Sequence, residues 1–83
     1  VEAQTRRVMD NLTIVLGELG LDLSHVLSCR VYLTDFYRDY DMMNSTYKSY
    51  FPEDRLPART CVGVTGLVRE ALVEIDMLAR RPA

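Results

Sequence analysis

The stretch VLSCRVYLT at 26–34 constrains the fold most. Leu27, Cys29, Val31 and Leu33 alternate with Val26, Ser28, Arg30 and Tyr32. A period of two with β-branched and aromatic content predicts a strand with two distinct faces. On both sides of it the apolar period becomes that of a helix. Upstream, Val8, Leu12, Val15, Leu16 and Leu19 predict a helix over 2–19, stopped by Gly20. Downstream, Phe36, Tyr40, Met43, Tyr47, Tyr50 and Phe51 predict a second over 36–51. Thr34 or Asp35 caps it and Pro52 ends it. Its aromatic stripe reads first as a core face, with ligand stacking as the alternative.

Two more alternating runs follow. Thr60, Val62 and Val64 share a face of a strand over 60–65, after a loop over 53–58. Gly63 and Gly66 within or beside it predict a bulge or a close backbone approach. After a turn at 67–71, Val73, Ile75, Met77 and Ala79 share one face of a strand over 72–79, and Leu72, Glu74, Asp76 and Leu78 the other. The order is α-β-α-β-β in one α+β domain, 1–83, with two helices packed on one face of a mixed β-sheet. Two helices cover one sheet face. The other, carrying Arg30, Tyr32, Glu74 and Asp76 among apolar neighbours, is left for a second subunit.

At 83 residues the chain is short enough that oligomerisation is a common source of stability. Its net charge of −2 and lack of a basic stripe argue against nucleic acid as a partner. No apolar run approaches the roughly 20 residues of a membrane span, and no leader pattern opens the chain. Cys29 and Cys61 sit in predicted strands and read as reduced thiols of a cytoplasmic protein. With the single His25, expected in a solvated turn, they form no zinc pattern and no Cys-His or Ser-His-Asp catalytic signature.

Few residues are left to carry chemistry. Arg59, in RLPARTCVGV at 55–64, stands at the mouth of a strand, where a guanidinium can hold a carboxylate in a two-pronged fork. Glu74 lies mid-strand among partly apolar neighbours, where a carboxylate pairs, takes a proton or handles a water. Together they suit a small carboxylate-bearing substrate and a water. The alternative is that Arg59 is solvated and Glu74 pairs with a neighbouring arginine.

QTRRVMDNL, RVYLTDFYRDYDMMNSTYKSYF, and above all LPARTCVGV with ALVEIDMLA, resemble the RidA/YjgF reactive intermediate deaminases over essentially the whole chain. The resemblance implies a chorismate-mutase-like α+β fold and a homotrimer with ligand clefts between subunits. It implies hydrolysis of enamines and imines, of the 2-aminoacrylate and 2-iminopropanoate type, to a 2-keto acid and ammonia. It implies no metal or organic cofactor. By the same resemblance Arg59 grips the substrate carboxylate, Glu74 positions the attacking water, Cys61 lies along the cleft, and Asn44, in an Asn-x-x-Tyr run with Tyr47, lies near the site. The family's β-hairpin and further strand before the first helix have no counterpart here. The expectation is therefore an N-terminally truncated domain with an incomplete cleft, either still catalytic or reduced to a carboxylate-binding or scaffold module.

Overall fold

A computed structural model describes residues 1–82. It contains helix α1 (Glu2–Glu18), strand β1 (Val26–Leu33), helix α2 (Phe36–Lys48), strand β2 (Ala58–Gly63) and strand β3 (Val73–Ala79). One-turn 3-10 helices at Leu23–His25 and Val68–Glu70 join them. The α-β-α-β-β order and the mixed sheet are as the sequence predicts. The sheet order is β2-β1-β3, with β2 parallel and β3 antiparallel to β1. Parallel pairing of β1 and β2 needs a crossover, and α2 is that crossover.

One sheet face meets both helices. Cys29, Val31 and Leu33 of β1 and Val73 and Ile75 of β3 are buried against Met9 and Leu16 of α1 and Met43 and Tyr47 of α2. Leu27 departs from the expected pattern: it is half exposed at 51 %, whereas Val26 is buried at 8 %. The register explains the reversal. Val26 pairs with Ala79 and Ser28 with Leu78, so Leu27 is an extra residue with no partner. Such a bulge shifts the alternation by one and turns Leu27 outward. In α1 the buried line runs through Thr5, Met9 and Leu16, with Val8 and Leu12 partly covered; Val15 and Leu19 are about half exposed.

Helix α2 is shorter than its apolar stripe. Asp35 is its cap, accepting from the Arg38 N–H at 3.4 Å. Regular helix stops at Lys48, and Ser49, Tyr50 and Phe51 continue as turns, Phe51 still buried. Strand β2 starts at Ala58, two residues before the expected position, which brings Arg59 inside the strand. Gly63 is the predicted close approach: a Cβ there would lie 3.2 Å from the Phe36 Cβ. His25 does more than face solvent. Its Nδ1 accepts from the Asp22 N–H at 3.0 Å while the Asp22 carboxylate accepts from the Ser24 N–H, which closes the turn into β1.

Gly20 ends α1 with φ +76°. The Leu21 N–H donates to the Leu16 carbonyl at 2.8 Å and the Gly20 N–H to Gly17 at 3.0 Å, the paired bonds of a Schellman ending. A Cβ at Gly20 meets nothing within 4 Å, so the cost of a side chain there is backbone strain alone. We expect Gly20→Ala to lower unfolding free energy by about 1 kcal/mol. Urea unfolding measures it, and an unchanged midpoint would show that the turn relaxes.

Candidate active site

Pro57 biases Leu56 towards extended backbone and so delivers the chain into β2. From there Arg59 is registered opposite Cys29 of β1. Because Cys29 faces the helices, so does Arg59, and it meets the exposed end of the α2 stripe. Its Nη1 donates to the Asn44 Oδ1 at 2.7 Å, and its Nη2 donates to the Tyr40 hydroxyl oxygen at 2.9 Å. The guanidinium carbon lies 5.0 Å from the Tyr47 ring centre and 5.7 Å from that of Tyr40. Tyr40, Asn44 and Tyr47 follow at spacings of four and three, one helix face. Cation and aromatic rings attract through the ring quadrupole. The clamp fixes the guanidinium by two hydrogen bonds and two rings.

An open cleft of about 380 Å³ lies over this group, lined by Tyr40, Asn44, Tyr47, Lys48, Leu56, Pro57 and Arg59. Two of its lining residues are cationic and none is acidic. Arg59 has five N–H donors, of which the clamp takes two, and it has no carboxylate partner among the described residues. An anion small enough for the cleft therefore meets a charged, pre-oriented donor set. Beneath the guanidinium, Tyr47 is 2 % exposed, and its hydroxyl has no hydrogen-bond partner among the described residues. Burial, then the neighbouring Cys29 thiol, pushes the Tyr47 phenol far above its ordinary pKa, opposed by the Arg59 charge. Tyr47 is neutral at any working pH.

The other residues singled out in the sequence are distributed differently. Asn44 joins Arg59 directly. Cys61 is two residues further along β2 on the same face, opposite Val31. It lines a separate shallow depression with Phe36, Tyr37, Val62 and Gly63 instead of the Arg59 cleft. Burial pushes its thiol pKa up, against the Arg59 charge, so it remains a thiol at neutral pH. Glu74 is on β3, opposite Tyr32, on the face away from the helices. It is exposed and has no ion-pair partner among the described residues, because Asp76 takes Arg30 at 2.9 Å. Arg59 and Glu74 thus lie on opposite faces of the sheet, on strands that flank β1. Two strand spacings alone separate them by roughly 10 Å. Glu74 does not line the cleft that holds Arg59.

Sequence reasoning placed Tyr40 in the aromatic stripe, read first as core with ligand stacking as the alternative, and did not single out its hydroxyl. The signal that could have found it is polar content within that stripe: Tyr40, Asn44 and Lys48 recur every four residues beside the buried line through Met43 and Tyr47. Among the described residues no group of three or more His, Cys, Asp or Glu side chains is placed to hold a metal ion, and no helix is long and apolar enough to cross a membrane.

The family model described as Endoribonuclease L-PSP matches residues 1–81. Protein DfrA of Myxococcus xanthus is 47 % identical over 79 residues, covering 95 % of this chain and 59 % of that protein. The 3-aminoacrylate deaminase RutC of Acinetobacter baylyi is 44 % identical over 78 residues, covering 93 % and 60 %. Among solved structures, the YjgF gene product of Escherichia coli superposes with a TM-score of 0.88 at 28 % identity, over 98 % of this chain and 65 % of that one. The chain therefore spans about three-fifths of the length of these relatives.

Proposed function

The chain belongs to the endoribonuclease L-PSP family, the RidA/YjgF group that its motifs resemble, and from that premise we propose that it hydrolyses small imines bearing a carboxylate, releasing ammonia and a 2-keto acid. One observation carries the reading. Arg59 is held by Asn44 and Tyr40 with donors to spare, in a cleft free of acidic side chains. A substrate carboxylate fits that fork, which then fixes the adjacent imine carbon. A relative, the Acinetobacter baylyi protein, is named as a deaminase of 3-aminoacrylate.

The chemistry needs little machinery. A protonated imine carbon is already electrophilic. Water adds to it, and a carboxylate takes the proton that the water loses. The same carboxylate returns that proton to nitrogen and then takes the proton of the new hydroxyl, so that the C=O bond forms as the C–N bond breaks and ammonia leaves. Orientation and charge stabilisation do the work. No cofactor enters the scheme. Glu74 is our choice for the carboxylate, and because it lies on the far face of the sheet we assign that role to the Glu74 of a second copy. The bare face supports that arrangement: it exposes Leu27, Val62 and Leu78 to 40–61 %. We therefore propose a cyclic homotrimer in which one copy supplies Arg59 and the next supplies Glu74.

The test is ammonia and keto-acid release from freshly generated 2-iminopropanoate, on protein whose mass in solution is known. Faster hydrolysis by a trimer supports the reading. A well-folded trimer that binds 2-oxo acids yet leaves the spontaneous rate unchanged would favour a binding module.

A further inference from the structure

We infer that the Tyr40 hydroxyl is a direct donor to the ligand carboxylate, a second contact beside Arg59 that sets the preference for an anionic group. The inference deepens the function proposed above and rests on it. Its basis is the direction of one hydrogen bond. A guanidinium only donates, so in the 2.9 Å contact with Arg59 Nη2 the Tyr40 oxygen must accept. The phenol proton is therefore not used there. Among the described residues the Tyr40 hydroxyl donates to nothing, and no carboxylate lines the cleft that it borders.

The hydroxyl is also well fixed. Phe36 stacks on the Tyr40 ring, centroids 5.2 Å apart and planes 29° apart, and the Arg59 guanidinium carbon lies 5.7 Å from the ring centre. With its ring held and its oxygen tied to Arg59, the hydroxyl rotates only its proton. Acceptance from a cation polarises the O–H bond and strengthens its donation. A carboxylate in the Arg59 fork brings an anionic oxygen beside Nη2, hence beside the Tyr40 oxygen. An O–H bond to an anionic oxygen is among the stronger hydrogen bonds. A neutral amide or ester in that position has one weaker acceptor and gains less. Tyr40 is thus a specificity-determining residue.

Calorimetric titration of the full chain with 2-oxobutanoate, a keto-acid product of the proposed reaction, tests it. We expect Tyr40→Phe to weaken binding by about tenfold or more, the usual size of one hydrogen bond to a charged group. KM for the imine rises to a similar degree while kcat is unchanged. Tyrosine labelled with carbon-13 at Cζ supplies the direct readout. One resonance, missing in Tyr40→Phe, should shift on adding 2-oxobutanoate. Equal affinity in Tyr40→Phe overturns the inference while leaving the imine chemistry standing. Weakened affinity without a Cζ shift also overturns it, since Tyr40 would then act through Arg59. A wild type that binds 2-oxobutanoate with the Cζ shift but does not hydrolyse imine sinks the enzymatic reading and keeps the contact. Absence of binding by the wild type overturns both.

Discussion

Arg59→Ala should reduce kcat/KM for imine hydrolysis by at least about 100-fold, with the fold intact, since two hydrogen bonds to a charged group vanish together. The loss should be nearly complete at low substrate concentration, because the fork is what brings substrate in. The same substitution removes the cation over the Tyr40 and Tyr47 rings. It leaves no buried charge behind. Asn44 and Tyr40 both border the open cleft, so water replaces the guanidinium at each. The thermal midpoint should therefore move little. Arg59→Lys should recover only a small part of the activity, because an ammonium keeps the charge but cannot present two parallel N–H groups. Steady-state kinetics beside thermal unfolding and solution mass separate the outcomes. If Arg59→Ala lowers the midpoint sharply or breaks the assembly, Arg59 is a structural strut and the site assignment is wrong.

The second large effect is a recovery. Arg59→Ala and Glu74→Gln should each be nearly inactive as pure proteins. Unfolded together in equal amounts and refolded, they should regain about a quarter of the wild-type sites, because a cyclic assembly pairs each cleft with its neighbour's sheet. A site works when its arginine comes from a Glu74→Gln copy and its glutamate from an Arg59→Ala copy. Each condition holds for about half of the copies in a random mixture of this symmetry. The expectation rests on the proposed assembly and on the register: Arg59 opposite Cys29 faces the helices, and Glu74 opposite Tyr32 faces away. A mixture no more active than its parts would mean that one chain supplies both groups, or that Glu74 has no role.

The sequence carries the element order well, because period-two and helix-period runs change sharply at 26 and 36. It carries the faces less well. A strand's own alternation says which residues share a face, but not which face meets the helices. Thr60 and Val62 share a face as the alternation predicts, yet only pairing with β1 turns Arg59 towards α2. Leu27 fails for a related reason: its bulge arises from β3, some fifty residues away, and leaves no mark in VLSCRVYLT. Arg59 and Glu74 stand out as residues whose charge does not fit their apolar surroundings. Tyr40 does not, because a tyrosine in an aromatic stripe satisfies the rule for a core position. Its role rests on where one hydroxyl oxygen lies, and composition does not encode that.

The sheet order has a consequence for how the protein is made. Strand β1 is central, and both of its neighbours come later in the chain: β1 is complete at Leu33, β2 begins at Ala58 and β3 at Val73. During synthesis, therefore, the most apolar strand leaves the ribosome with both hydrogen-bonding edges open. At about 5–20 residues per second, the wait for β3 lasts on the order of seconds. Helix α1 is available to shield one face, but β2 and β3, the strands that pair with the two edges of β1, are still unmade. An open edge is a template for pairing with any other extended chain. Nascent chains released before β3 is made should be the aggregation-prone species, and β3 acts as the latch that ends that exposure.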